Sequence, residues 1–186
     1  MAPEADQQVP EGRGVTFMSR ETGWRRMAPA DLPAVMRIAA VVHPAYPEDE
    51  AVFAERLRLA GEGCHVLEGE GGALLGYLVS HPWPAGEIPA LNSRLGAVPD
   101  GQANWYLHDL AVLPEGRGAG AGGRIVAELA RRLGQAGYRS LSLVAVNGST
   151  SFWRRQGFAV VAEPALAGKL ATYDEAACYM RRDLKD

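Results

Sequence analysis

The sequence predicts an α/β fold of mixed (α+β) type, in which a mixed sheet carries helices packed against it. Segments with helical periodicity alternate with strand-like apolar runs, in the predicted order β-α-α-β-β-β-α-β-α-β-β. The chain has 186 residues, which is enough for one domain with a sizeable core and short for two. Its composition, with 47% hydrophobic and 22% charged residues, is that of an ordinary globular protein.

The charge and the cysteine content exclude several classes of function. The net charge is -3 and the arginines are scattered, so we expect no nucleic-acid partner. Cys64 and Cys178 stand in no metal-ligand or redox spacing, which favours buried thiols in a reducing compartment and no metal site. No apolar run approaches the length of a membrane span, and the N-terminal residues lack the apolar core of a signal peptide. We therefore expect a cytoplasmic protein that does not enter a membrane.

The N-terminal half is predicted to hold a tail, a strand, two helices and a hairpin. Residues 1–21 are rich in proline, glycine and glutamine and predict a flexible tail, so that a single folded domain spans residues 22–186. The segment WRRMAPADL predicts a short strand leading into a helix, which ends at the prolines of HPAYP. The segment EDEAVFAERLRLA predicts a second helix, and CHVLEGE and ALLGYLVSH predict two strands joined at Gly71-Gly72.

The C-terminal half is predicted to contain the most regular helix of the chain. Residues 82–103 have four prolines and no clear periodicity, which is typical of a loop that is either functional or mobile. The segments NWYLHDLAVL and YRSLSLVAV predict strands that flank a helix with an apolar stripe of Ile125, Val126, Leu129, Ala130 and Leu133. A short helix, STSFWRRQ, stopped by Gly157, and the strands FAVVAEP and TYDEAACYMRRDL complete the chain.

A cluster of glycines precedes the regular helix and raises the question of which ligand it holds. Five glycines lie within eight positions: Gly116, Gly118, Gly120, Gly122 and Gly123. Backbone N–H groups at a helix N-terminus bind anions, and glycine lets the backbone approach a phosphate closely. The literal G-x-G-x-x-G pattern of residues 118–123 lacks the acidic residue that a dinucleotide site needs at the end of the next strand, SLSLVAVN. A P-loop is also excluded, because neither G-K-S nor G-K-T follows.

A second register of the same glycines, Arg117-x-x-Gly120-x-Gly122 after the strand end LAVLPEG, resembles a motif of the GNAT superfamily of acetyl-CoA-dependent N-acetyltransferases. The segment VNGSTSFWRRQGF is similar to the second coenzyme-contacting segment of that family, and MAPADLPAVMRIA is similar to its first strand and helix. The resemblance covers roughly residues 22–182. It implies a GNAT-like, mostly antiparallel twisted sheet with helices on both faces, and acetyl-CoA as the cofactor.

The resemblance also implies which residues contact the coenzyme. The backbone of Leu110, Ala111 and Val112 would run beside the pantetheine arm, and an N–H group of that strand would polarise the thioester carbonyl. The pyrophosphate would be held by the glycine-rich loop, that is by Arg117, Gly118, Ala119, Gly120, Ala121 and Gly122. Asn147 would contact the coenzyme from the neighbouring strand. For Arg117, a purely positional role as a solvated side chain is equally open.

The need for proton transfer points to His108 in the segment YLHDLAV. An alkylammonium acceptor is almost fully protonated at neutral pH, so its proton must be removed. Imidazole has a suitable pKa of about 6.5, and His108 stands where some polyamine-acetylating members of the family carry a glutamate treated as the base. A core or rim histidine on a half-buried strand is the alternative. Because neighbouring strand residues face opposite ways, we expect Asp109 to be structural and not to share the pocket with His108.

Trp153 marks a departure from the family pattern. The family's usual tyrosine, a proposed acid for the departing thiolate, falls at Trp153, and an indole N–H cannot give up a proton at neutral pH. A core aromatic that packs the short helix is the plainer interpretation of this residue. Water, Ser149, Ser151 and Tyr106 are open as substitutes, and a thiolate also leaves tolerably without protonation.

The acceptor site is predicted at the link between the first two helices, which usually walls that site in the family. Here HPAYPEDE supplies Tyr46, Glu48, Asp49 and Glu50. An acidic rim suits a cationic amine, although carboxylates at a helix N-terminus also serve the helix dipole. The leading hypothesis is direct acetyl transfer from acetyl-CoA to a primary amine of a small molecule or peptide, with a homodimer among the open oligomeric states. The alternatives are a non-catalytic acyl-CoA-binding sensor or regulatory module, and a nicotinamide-dependent oxidoreductase.

Overall fold

The computed structural model describes residues 23–184, and the predicted tail at residues 1–21 lies outside them. Within the described residues the chain forms seven strands and five α-helices. The strands are β1 (Gly23–Arg26), β2 (His65–Glu68), β3 (Leu74–Pro82), β4 (Asn104–Val112), β5 (Ser140–Ala145), β6 (Ala159–Val160) and β7 (Cys178–Asp183). The helices are α1 (Leu32–Val42), α2 (Glu50–Leu59), α3 (Ala121–Gln135), α4 (Thr150–Arg155) and α5 (Ala167–Leu170).

The strands form one sheet in the order β1-β2-β3-β4-β5-β7-β6. In the described part of the chain, β4 and β5 are the only parallel neighbours, and the other five pairs are antiparallel. The predicted mixed, mostly antiparallel sheet is therefore confirmed. This topology also removes the nicotinamide hypothesis, because the dinucleotide-binding fold needs an open and mostly parallel sheet.

Helices cover both faces of the sheet. Side chains alternate along each strand, so neighbouring residues of one strand pack against helices on different faces. On one face, Leu78 packs into a core that α3 and α4 complete. On the other face, its neighbours Tyr77 and Val79 pack into a second core built with α1 and α2. The interior strand β3 therefore contributes to both cores, as a strand does when it is covered on each side.

Helix α3 has the predicted apolar stripe. Its buried residues include all five predicted positions: Ile125, Val126, Leu129, Ala130 and Leu133. Each large aliphatic side chain contributes about 1.5–3 kcal/mol by burial, so packing stabilises this helix more than intrinsic propensity does. None of the helices between residues 23 and 184 has the length and hydropathy that a membrane span requires.

The two predicted strands near the C-terminus are shorter than expected. The segment FAVVAEP forms only β6, and TYDEAACYMRRDL contributes only β7. Between them, Pro164 begins a short 3-10 turn that α5 continues. Proline suits the first turn of a helix and donates no hydrogen bond to a sheet, so a strand is disfavoured at this position.

The loop between β3 and β4 is anchored to α2. The backbone N–H groups of Leu95 and Gly96 donate to the buried carboxylate of Glu55 at 2.6 and 3.2 Å. The fully buried guanidinium of Arg56 donates to the carbonyl of Ser93 at 2.9 Å. Because buried charged groups hold residues 93–96, the structure disfavours the mobile interpretation of this loop.

His81 on β3 predicts a loss of stability in acid. The side chain is fully buried, and burial, with a smaller effect from the charge of His108, lowers the pKa of His81 to about 3. Below about pH 6.5 the unfolded chain binds this proton and the folded chain does not, so stability falls toward pH 3 by at most about 1.4 kcal/mol per pH unit. We predict that His81→Gln loses less stability than the unaltered protein between about pH 7 and about pH 5, measured by urea unfolding. Equal losses in the two proteins would contradict this assignment.

Candidate active site

A cleft opens between β4 and β5, the two parallel strands. They pair only where Asn104, Trp105 and Tyr106 lie opposite residues 140–142. Beyond that point β5 pairs with β7 and β4 with β3, so the facing edges of β4 and β5 have no strand partner among the described residues. The cleft widens into a cavity of about 720 Å³ that reaches the N-terminus of α3. A cavity of this volume holds a ligand of drug size.

A β-bulge places two polar side chains of β4 in this cavity. Val79 pairs with Asp109 and the next residue, Ser80, pairs with Leu107, so His108 is the extra residue of the bulge. Both His108 and Asp109 line the cavity. The expectation that Asp109 would not share the pocket with His108 was therefore wrong, because a bulge interrupts the alternation of side chains along a strand.

His108 forms a buried pair with Glu48, which lies in the link between α1 and α2. Nε2 of His108 is 2.8 Å from Oε2 of Glu48, and the two side chains are 7% and 6% exposed. The backbone N–H of Asn92 donates to the other carboxylate oxygen of Glu48 at 2.8 Å. Burial raises the pKa of Glu48, but the hydrogen bonds with His108 and Asn92 outweigh it, and the net pKa is lowered. The carboxylate therefore stays ionised and holds the imidazole in one orientation.

A second histidine, His43, faces the same cavity, although no sequence motif marked it as a site residue. Its Nε2 atom is at ion-pair distance, 3.0 Å, from Oδ1 of Asp109, whose other oxygen accepts a hydrogen bond from Tyr77 at 2.5 Å. Burial lowers the pKa of His43, but the Asp109 carboxylate outweighs it, and the net pKa is raised. Its place before Pro44, at the start of the link that is predicted to border the acceptor site, was the one available signal.

The N-terminus of α3 forms another end of the cavity. Gly120 has a left-handed backbone (φ +69°) immediately before α3 begins at Ala121. The N–H groups in the first turn of a helix have no partner inside the helix and bind anions. A Cβ atom at Gly118 or Gly120 would meet no atom within 4 Å, so the turn that precedes these donors borders open space. This end of the cavity fits a phosphate-bearing ligand.

Asp174 ties three segments together beside the cavity. Its Oδ2 atom accepts a hydrogen bond from the Tyr46 hydroxyl at 2.8 Å and another from the backbone N–H of Asn147 at 3.0 Å. Asn147 follows β5 in a left-handed conformation with φ of 53°. Tyr46 also contacts the ring of Tyr173, with the two centroids 5.8 Å apart. The link between α1 and α2, the end of β5 and the loop before β7 are thereby joined.

Comparison with known families decides the class of this domain. Residues 30–158, more than half of the chain, match the sequence model of the acetyltransferase (GNAT) family. The chain belongs to the GNAT acetyltransferase family. This confirms the family that the register Arg117-x-x-Gly120-x-Gly122 and the segment FWRRQGF indicated.

Solved structures share the GNAT fold at low sequence identity. The loading GNATL domain of CurA from Lyngbya majuscula has a TM-score of 0.73 at 13% identity, covering 89% of this chain and 98% of that one. Ard1 from Thermoplasma volcanium has a TM-score of 0.65 at 18% identity, covering 88% of this chain and 97% of that one. The NatC complex bound to Gag peptide and CoA has a TM-score of 0.66 at 14% identity, covering 89% of this chain and 100% of the matched chain. At these identities the likeness shows the fold alone, and no curated protein matches this chain.

Most of the predicted GNAT site residues line the same cavity: His108, Leu110, Val112, Arg117, Gly120, Ala121, Gly122, Asn147 and Trp153. Ala111 does not, because its side chain alternates to the opposite face of β4, where it is fully buried. Gly118 and Ala119 form, with Gly120, the short 3-10 turn that leads into α3. The side chain of Arg117 folds back, and its Nε donates to the carbonyl of Val112 at 2.9 Å. The roles of these residues remain predictions.

Trp153 is a core residue of α4 that also lines the cavity. Its side chain is 8% exposed and packs at steep angles against two phenylalanine rings, with centroids 4.9 and 5.4 Å away. An indole at this position fills the core and supplies no transferable proton at neutral pH. Of the substitutes considered above, Ser149 and Tyr106 line the cavity, whereas Ser151 is exposed.

The left-handed backbone at Gly120 predicts an asymmetric effect of two alanine substitutions. We predict that Gly120→Ala lowers the free energy of unfolding by about 1 kcal/mol or more, because a Cβ atom is disfavoured in that backbone region. Gly118→Ala is the matched control in the same turn, where φ is not positive and a Cβ atom meets no neighbour. We expect it to change stability by less than about 0.5 kcal/mol in urea unfolding. Equal effects of the two substitutions would show that the turn is misplaced.

Proposed function

We propose that this GNAT protein is an N-acetyltransferase that moves an acetyl group from acetyl-CoA directly to a primary amine of a small molecule or peptide. The observation that carries the proposal is that one cavity joins the glycine-rich N-terminus of α3 to the buried pair of His108 and Glu48. The first feature suits a phosphate-bearing coenzyme and the second suits proton removal.

The residues for coenzyme binding are those that present backbone groups to the cavity. The first-turn N–H groups of α3, at Gly120 to Gly122, would hold the pyrophosphate, with Arg117 at the edge. The unpaired edge of β4 from Leu110 to Val112 and Asn147 would flank the pantetheine arm. When bound, acetyl-CoA supplies an acetyl group activated as a thioester. The similar fold of the NatC structure bound to Gag peptide and CoA supports this assignment.

His108 is the proposed base. A protonated amine must lose a proton before its nitrogen can act as a nucleophile. Because the ionised carboxylate of Glu48 accepts at Nε2, the ring proton is held there and Nδ1 is left as the basic nitrogen. When Nδ1 takes the proton from the amine, the same carboxylate stabilises the imidazolium that forms.

A specific observation favours a second candidate function, a non-catalytic acyl-CoA-binding sensor. Trp153 occupies the position of the family's usual tyrosine and belongs to the core, so α4 offers no phenol at that position. Binding of acetyl-CoA in calorimetry, without turnover on any amine of a broad panel, would support the sensor. Release of free thiol that depends on an added amine would support the transferase.

We predict that His108→Ala lowers kcat by about a hundredfold, since general-base catalysis contributes that order of magnitude. The acid limb of the pH–rate profile is lost with the imidazole. Glu48→Gln, which keeps the shape of the carboxylate and removes its charge, lowers kcat less than His108→Ala does and retains an acid limb in the pH–rate profile. The measurement is the rate of thiol release from acetyl-CoA across pH.

His65→Gln is the matched control for this prediction, because His65 is a buried histidine that does not line the cavity. Its profile should follow that of the unaltered protein. If His108→Ala kept both the rate and the acid limb, His108 would not be the base.

We also predict that Gly120→Asp weakens coenzyme A binding by about tenfold or more, because it places a negative charge where phosphate is expected. Gly71→Asp is the matched control. Gly71 has a left-handed backbone with φ of +71° and no neighbour to a Cβ atom, but it lies in the turn between β2 and β3. Gly71→Asp introduces the same side chain and charge outside the cavity. Calorimetry measures the affinity of each variant for coenzyme A, and equal affinities would disprove the position of the phosphate site.

A further inference from the structure

We propose that the acceptor of this enzyme is a compact primary amine with an apolar body and no carboxylate next to the amine. This inference rests on the proposed acetyltransferase function and concerns the part of the cavity around His108. Three features of that part carry it: its closure by Asp174, its aromatic walls and the distribution of charge around it.

The closure restricts the length of the acceptor. The hydrogen bond from the Tyr46 hydroxyl to Asp174 joins the link between α1 and α2 to the loop before β7. The same carboxylate oxygen binds the backbone N–H of Asn147, at the end of β5. A peptide that presents its N-terminus to His108 needs a continuous groove for the residues that follow. The tether joins three segments whose residues Tyr46, Asn147 and Tyr173 line the cavity, so a short molecule is accommodated and a chain is obstructed.

The walls of this part of the cavity are aromatic and apolar. Tyr46, Tyr106 and Tyr173 line it together with Leu91, which the anchored loop between β3 and β4 contributes. The ring of Tyr106 lies 6.5 Å from that of His108. Burial, together with the nearby charge of Glu48, raises the pKa of Tyr173 to about 12, so this ring is neutral at physiological pH and close to the pair. Tyrosine faces bind both an ammonium group and an apolar body.

The charges favour a cation and disfavour an anion. Glu48 and Asp109 present carboxylates on this side of the cavity, and His43 is already paired with Asp109. Arg56 lies behind Glu48, fully buried, and donates to Glu55 and to the carbonyl of Ser93. A carboxylate next to the reacting amine would therefore lie beside the carboxylate of Glu48, and the nearby cations His43 and Arg56 already have acidic partners.

The arginines that line the cavity among the described residues belong to its other side. Arg117 lies in the loop before α3, where its side chain donates to the end of β4. Arg155 ends α4. Both are on segments assigned above to the coenzyme rather than to the acceptor.

Three acceptors of matched side chain test the proposal: phenethylamine, phenylalanine and a pentapeptide that begins with phenylalanine. With acetyl-CoA as donor, we expect kcat/KM for phenethylamine to exceed that of the other two by about tenfold or more, as discrimination against an unpaired buried charge allows. Equal or higher kcat/KM for phenylalanine would overturn the charge argument. Equal or higher kcat/KM for the pentapeptide would overturn the closure argument.

Tyr46→Phe tests the tether directly, since it removes the hydroxyl that binds Asp174 and keeps the aromatic wall. We expect the kcat/KM ratio of the pentapeptide to phenethylamine to rise several-fold, while Tyr138→Phe leaves it unchanged. Tyr138 is the matched control because it packs on Trp105 and does not line this cavity. An unchanged ratio in Tyr46→Phe would show that the tether does not exclude peptides.

Failure of the proposed function is distinguishable from failure of this inference. If no acceptor supports thiol release, the transferase proposal fails, and calorimetry with the three compounds then tests the acceptor site alone. Binding of phenethylamine at least about tenfold tighter than both other compounds would still support the inference. Equal binding of the three, or binding of none, would overturn it.

Discussion

Two buried hydrogen bonds at one end of the parallel strand pair position the cavity. Asn104 donates to the hydroxyl of Ser142 and accepts from that of Ser140, both at 2.8 Å, and an unsatisfied partner here would cost about 1–3 kcal/mol. The strands are held at this end and part beyond it. Helix α3 must leave the open end of β4 and return to the closed end of β5, so its N-terminus lies at the mouth of the cleft. The anion-binding end of the helix is placed there by connectivity.

The bulge at His108 is the second constraint, because it turns two neighbouring side chains toward the link between α1 and α2. Glu48 and His43 in that link each find a partner on the bulge. Glu48 is in turn held by Asn92, from a loop that Glu55 and Arg56 anchor to α2. The orientation of the His108 imidazole therefore depends, through Asn92 and Glu48, on the buried ion pair of Glu55 and Arg56, which does not line the cavity.

The sequence predicted the features that local patterns encode. The stripe of α3, the order of helices and strands along the chain and the family motif in the glycine-rich loop all follow from periodicity or from a contiguous pattern. The pair of His108 and Glu48 could not be predicted, because the residues are 60 positions apart and the contact requires an extra residue in β4. Asp174 has no local signature, and its role depends on tertiary contacts with Tyr46 and Asn147. The prediction that Asp109 points away from the pocket was wrong for the same reason, because it assumed regular alternation of side chains where β4 has a bulge.

Under the proposed function, the two sides of the cavity would recognise their ligands by different means, and this affects how specificity can change. The coenzyme side presents mainly backbone groups, whose positions depend on the parting of β4 and β5 and on the glycines before α3. The acceptor side presents side chains from segments that are separate in sequence: the link after α1, the loop after β3 and the loop before β7. With Trp153 committed to the core, the titratable side chains that could move a proton are concentrated on that same side. Substitutions there can alter the amine and the proton path together, while the backbone cradle for the coenzyme stays intact.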